Sequence, residues 1–179
     1  MVFGDPYVFA ISIDRVHAWS SERFHNGLLS YFADGMEIGA EIKNATMEIT
    51  MMDLEDCIIN LDTQHIDAEL AHLTKREAFA EVYERTCALK SDSHDYSYLA
   101  ATTIQRDVRE DVFLLKTHLG YDRLLFGIGF DINNSENIQI QEVRVPTGVV
   151  INVMRQAVQS WRNGGELWYY GGNQSPNRL

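Results

Sequence analysis

The sequence predicts an α+β fold: a mainly antiparallel sheet with two principal helices, about residues 74–90 and 148–162, packed on it. Three observations carry this. Two segments repeat apolar residues at helical spacing. Several others alternate apolar and polar residues, or gather β-branched and aromatic ones, as strands do. Asp34-Gly35 sits between two such runs and marks a tight hairpin. At 179 residues the chain suits one domain with a real core. Residues 1–170 are assigned to that domain and 171–179 (GGNQSPNRL) to a flexible tail.

The chain opens MVFGDPYVFAISID. Gly4-Asp5-Pro6 is a turn signal, so the first residues read as loop. Residues 7–14 read as a strand whose larger set, Tyr7, Phe9, Ile11 and Ile13, faces the core. Residues 15–27 are a connection containing Trp19. Residues 28–42 (LLSYFADGMEIGAEI) form the hairpin, because Asp-Gly tolerates the positive φ of a type I′ turn. TMEITMMD (46–53) reads as another strand, with Met47, Ile49 and Met51 on one face. Between Asp53 and His72, Cys57–Leu61 fits a short strand, while Ile66, Leu70 and Leu73 fit one face of a helical turn. Both readings stay open.

Thr74 to Glu77 is a capping box, and Phe79, Val82, Tyr83, Thr86 and Leu89 form the stripe of the helix it starts. SDSHD (91–95) ends it. YSYLAATTIQ (96–105), VFLLKT (112–117), DRLLFGIGF (122–130) and IQIQEVRV (138–145) read as consecutive antiparallel strands. Gly127 and Gly129 in the third suggest a bend or a closely packed neighbour. Pro146-Thr147-Gly148 opens the second helix, with Val150, Val153, Met154, Ala157, Val158 and Trp161 inward and Gly164 as its cap. Leu167–Tyr170 fits a last short strand.

The net charge is −11, and it is uneven. Residues 1–74 hold thirteen acids against Arg15, Arg23 and Lys43, whereas residues 75–179 are nearly balanced. Such a surface repels a phosphate backbone, which argues against nucleic acid as a partner. It would steer a basic protein, or it could simply keep the chain soluble. No apolar run approaches the roughly 20 residues that span a bilayer, so no membrane association is expected. The N-terminus lacks the pattern of a secretory signal, and the expected location is cytoplasmic. Cys57 and Cys87 form no close pair, and a reduced, buried state is expected.

No chemical motif survives inspection. DINNSENIQIQE (131–142) places Asp131, Asn133, Ser135 and Glu142 where a calcium loop wants oxygen ligands, but Glu136 stands where that loop needs glycine. His65 and His72 are two helical turns apart, about 10.5 Å, too far to share a zinc ion. Ser91, Ser93, His94 and Asp95 supply the residue types of a triad, but adjacency in sequence is no evidence for one. There is no P-loop and no nucleophile elbow. No catalytic residue, metal ligand or cofactor is assigned. The acid-rich stretch Asp53, Glu55, Asp56, Asp62, Asp67 and Glu69 is the candidate partner-binding surface, on charge alone. A solvated polar face is the plainer alternative. Trp19, Trp168, Tyr169 and Tyr170 could anchor an interface or belong to the core.

Several of these features together resemble the immunity protein 42 family of bacterial polymorphic toxin systems. They are Gly4-Asp5-Pro6 leading into Phe9-Ala10-Ile11, then Trp19, Asn26-Gly27 and Asp34-Gly35. Asp122-Arg123-Leu124-Leu125-Phe126-Gly127 and Pro146-Thr147-Gly148 continue the likeness. The resemblance implies a small cytoplasmic α+β protein that binds and neutralises a cognate toxin domain without cofactor or turnover. A nuclease toxin would be basic, and an acidic inhibitor would match it. The resemblance assigns no contact residues. Gly4, Asp5 and Asn26-Gly27 read as turn formers. The competing reading is a small cytoplasmic hydrolase with a Ser/His/acid site assembled by the fold. A calcium-binding module is weaker.

Overall fold

Two antiparallel sheets share one continuous core in the computed structural model, which describes residues 1–21, 24–39, 44–87, 94–107, 110–129 and 139–163. The first sheet holds β1 (Val2–Asp5), β2 (Phe9–Arg15), β3 (Asn26–Ala33), β4 (Met36–Ile38) and β5 (Asn44–Thr46). Its order is β1-β2-β3-β4, with β5 also paired to β3. Helices α1 (Met47–Thr63), α2 (Ala68–His72), α3 (Lys75–Cys87) and α4 (Thr103–Asp107) follow. The second sheet, β6 (Glu110–Leu115), β7 (Tyr121–Ile128) and β8 (Gln141–Pro146), runs in sequence order before α5 (Val149–Asn163). The α+β class therefore holds, with the strands divided between two sheets and a third long helix added.

The opening residues are a strand rather than a loop. β1 pairs with β2 from Val2↔Ser12 to Asp5↔Phe9. The turn lies just beyond, where Asp5 Oδ1 accepts from Tyr7 N at 2.9 Å. Four mostly exposed residues are too few to show an alternation. Gly4 has φ +88°, and a Cβ there would lie 2.4 Å from the Phe9 carbonyl oxygen, so the strand passes only as glycine. Phe9, Ile11 and Ile13 are fully buried as expected, but Tyr7 belongs to the turn and is 79% exposed. The hairpin is as read: Ala33 pairs with Met36 across Asp34 (φ 52°) and Gly35 (φ 74°).

The largest departure is α1, seventeen residues read partly as strand. Met47, Met51, Leu54, Cys57 and Leu61 face the core. Ile49, Met52 and Ile59 point outward, 58%, 64% and 62% exposed. Apolar residues on both faces erase the single stripe that marks a helix and leave a local alternation at 47, 49 and 51. The helix is tied at both ends. Met47 N donates to His25 O at 2.7 Å beside the first sheet. At the other end the buried Gln64 amide donates to Leu114 O at 2.6 Å and accepts from Lys116 N at 2.7 Å, while Lys116 Nζ reaches Leu61 O at 2.6 Å.

Residues 96–105 also depart from strand. Tyr96–Tyr98 is a 3-10 turn, and Leu99 makes one bridge to Phe113. α4 then starts where Gln105 Oε1 accepts from Thr102 N at 2.8 Å, half of a capping box. The other two helices match the reading. Thr74 and Glu77 cap α3 reciprocally (Thr74 N to Glu77 Oε2, 3.0 Å; Glu77 N to Thr74 Oγ1, 3.4 Å). Val150, Val153, Met154, Ala157 and Val158 are the buried face of α5. β6 is buried along its whole length and β7 nearly so. Gly127 marks a close approach: a Cβ there would sit 3.1 Å from the Phe79 ring of α3. Leu89, Gly164, the fitted strand Leu167–Tyr170, the 171–179 tail, Ser91, Ser93 and positions 131–138 lie outside the described residues.

Candidate partner-binding face

The six acids picked out on charge do not form one free cluster. Asp53 Oδ2 accepts from Thr103 N at 3.1 Å and so caps α4. Glu55 bridges to Arg162 and Asp62 to Arg155, each at 2.5 Å, tying α1 to α5. Asp67 is the N-cap of α2, accepting from Glu69 N and Leu70 N, and its other oxygen meets Arg85 Nη1 at 2.9 Å. The Arg85 hydrogen bond is the main cause that holds the Asp67 carboxyl below the usual carboxylate range. Among the described residues, only the carboxylates of Asp56 and Glu69 in this set are exposed with no internal partner.

What charge did not reveal is the apolar stripe between these acids. Ile49, Met52, Asp56, Ile59 and Thr63 lie on one exposed arc of α1 about 80° wide, at spacings of three and four residues. Ile66, 52% exposed, follows just past the helix. The available signal was a surplus of large apolar residues in α1 beyond what one buried face needs. Beside Ile66 opens a cleft of about 560 Å³, lined by Thr63, His65, Ile66, Asp67, Glu69, Asp95, Ser97 and Tyr98 among others. Trp19 is half exposed on the 3-10 turn before β3. Trp168, Tyr169 and Tyr170 lie outside the described residues.

Among the described residues, those suspected of chemistry are not joined to one another by hydrogen bonds. His65, His72 and His94 are all exposed. His65 and Ser97 share the cleft with carboxylates, but among the described residues no hydrogen bond links His65 to Ser97 or to any acid. A triad requires that connectivity. Among the described residues no group of three or more His, Cys, Asp or Glu could hold a metal ion. Glu142, the last position of the calcium-like run, is occupied by Arg123 at 2.8 and 3.0 Å. Both cysteines are free thiols. Burial pushes Cys57 up to about 12 and Cys87 up to about 11, so neither is a ready nucleophile.

Asp111 in β6 is buried, and desolvation pushes its carboxyl up to about 6. Its folded value lies above the unfolded one. The stability this gives is present below about pH 4 and is lost as the pH rises toward 6, a total of about 2–3 kcal/mol. Asp111→Asn is expected to flatten that part of the pH profile and to be the more stable chain by about 2 kcal/mol near pH 8. Urea midpoints measured across this range check it; an unchanged profile contradicts it.

Several of the residues that carry the family resemblance are joints of the fold. Gly4 allows β1 to pass Phe9, and Gly27 lets β3 run beside Asp14 O, 2.5 Å from where its Cβ would be. Asp122 Oδ2 accepts from Gly148 N at 2.9 Å, fixing the start of α5 to β7. Arg123 pairs with Glu142 and donates to Leu70 O at 2.8 Å and Ala71 O at 3.4 Å. None of them lies on the outer face of α1.

The fold is a small α+β one whose tied helix α1 shows apolar and acidic side chains to solvent, the mixture found at protein-contact surfaces. Residues 1–160 match the immunity protein 42 family (Imm42), and the chain belongs to that family of immunity proteins. Its structure is similar to the crystal structure of CdiI from Burkholderia dolosa AUO158, with a TM-score of 0.76 and 25% identity. The likeness covers 89% of this chain and 99% of that one. No curated protein matches the sequence. Among the described residues no helix is long and apolar enough to cross a membrane.

Proposed function

We propose that this immunity protein neutralises its cognate toxin domain by direct contact through the acidic surface of α1 and α2, without turnover or cofactor. The toxin surface it fits is basic, as a nuclease's phosphate-binding face is, and the cytoplasm is where the two would meet. One observation carries the electrostatic part. Asp56 and Glu69 are exposed and are used by no internal bond among the described residues, so their charge is available to a partner. The Glu55–Arg162 and Asp62–Arg155 pairs lie on the surface, where an ion pair is worth little and can be exchanged.

The test is a titration with the toxin domain encoded by the adjacent gene, at about 50 and about 500 mM salt. Asp56→Lys with Glu69→Lys is expected to weaken binding by about 10- to 100-fold at low salt, chiefly by slowing association. Neither reversal removes an internal bond, so the fold is kept; reversing Asp53 or Asp67 would instead uncap a helix. Unchanged affinity and salt dependence in the double variant would remove the acidic surface from the account and leave the immunity role standing.

A further inference from the structure

We infer that the exposed stripe of α1, centred on Met52 and Ile59, is the apolar centre of the toxin interface, and that it takes a toxin face of apolar residues ringed by Lys or Arg. The inference rests on the proposed function and names the residues that dominate it.

The stripe is not needed by the core. The buried face of α1 is already supplied by Met47, Met51, Leu54, Cys57 and Leu61. Neighbouring elements hold the flanks, α5 through Glu55 and Asp62, and α4 through Asp53. They leave the arc from Ile49 to Ile59 in solvent. Bulky apolar side chains grouped on one helix face, with polar residues around them, have the anatomy of an interface centre and rim. The helix is fixed at both ends by backbone and Gln64 bonds, so the stripe is presented in one arrangement.

Charge selects the occupant. Asp56 stands within the stripe, between Met52 and Ile49 around the helix, four residues after Met52 and three before Ile59. Whatever covers the stripe must pair that carboxylate or bury it unpaired, which is strongly unfavourable. A second copy seated stripe to stripe would bring its own Asp56, which likewise has no internal partner among the described residues, toward this one, on a molecule of net charge −11. A Lys or Arg neutralises Asp56 and lays its alkyl stem across Met52 and Ile59. At the end of the arc, Thr63 and Ile66 border the cleft that also holds Glu69, with room for one long basic side chain.

The experiment uses the full chain and the adjacent-gene toxin domain. Met52→Glu and Ile59→Glu are made singly, with Ile128→Glu and Met36→Glu as controls, since these are half-exposed apolar residues elsewhere. Circular dichroism and thermal melting establish that each variant folds, and Met52→Ala gives a milder change that cannot unfold the helix. The expected result is a loss of affinity of at least 100-fold for each stripe glutamate, about 10-fold for Met52→Ala, and less than threefold for the controls. Wild-type binding retained by all three folded stripe variants overturns the inference and leaves the immunity reading intact. A wild-type dimer that the stripe variants convert to monomer, with toxin affinity unchanged, overturns it in favour of a second copy. Failure of the wild-type chain to bind the toxin domain overturns both readings together.

Discussion

Arg123→Ala is expected to lower the free energy of unfolding by about 3–5 kcal/mol, near the limit of what one substitution does. The Arg123 side chain is only 5% exposed. Its guanidinium makes two parallel bonds to Glu142 on the neighbouring strand and also donates to Leu70 O, and more weakly to Ala71 O, in α2. Alanine strands the Glu142 charge beneath the surface and leaves the α2 carbonyl unsatisfied. Arg144 is 3.7 Å from Glu142 but two-thirds exposed, and offers weak compensation. Replacing both partners, Arg123→Met with Glu142→Leu, is expected to recover most of the loss, because the cost lies in the unpaired charge. Urea unfolding of the two variants decides it. A single-variant loss under about 1 kcal/mol means the pair behaves as a surface bridge would.

Phe79→Ala comes next, at about 3–5 kcal/mol. Phe79 is fully buried, edge-on to Phe113 of β6 at 5.1 Å between ring centres and stacked on Tyr83 at 6.5 Å. Its tip rests over Gly127, which has no side chain to move into the space. The cavity must persist, because closing it would require the β6–β7 ladder to shift. A fall in melting temperature of about 8–15 °C is expected, with Phe79→Leu losing clearly less. Equal loss in both variants would indicate that ring shape, and not the empty volume, sets the cost.

Elements were readable in the sequence where one face or one cap dominated. β2, the Asp34-Gly35 hairpin, α3 with its capping box and α5 with its single stripe all have this property. β6 and β7 were visible as apolar runs because both their faces are covered. β1 was too short and too exposed to leave a pattern. α4 was hidden because Thr102-x-x-Gln105 lay inside a run rich in Thr, Ala and Tyr that also suits a strand. α1 failed for a more telling reason: the outward residues that spoil its periodicity are the ones proposed to meet the partner.

The acidic stretch was visible as charge, but not what its members do. Asp67, Asp53, Asp62 and Glu55 find their partners 18, 50, 93 and 107 residues away. Local sequence carries no trace of such distant bonds. The fold takes these four for its own joints and leaves Asp56 and Glu69 exposed.

The two ends of α1 are fastened to different sheets, through Met47 at β3's neighbourhood and through Gln64 and Lys116 at β6. The helix is therefore a shared member of both halves. Neither sheet can open to solvent without releasing one end of it, which merges what could be two separate cooperative units into one. Slow amide exchange would then be of similar depth in β2 and β7, although no strand pairing among the described residues joins their sheets. A partner seated on α1 would clamp that common member, and so slow the opening of both sheets at once rather than only the surface it touches.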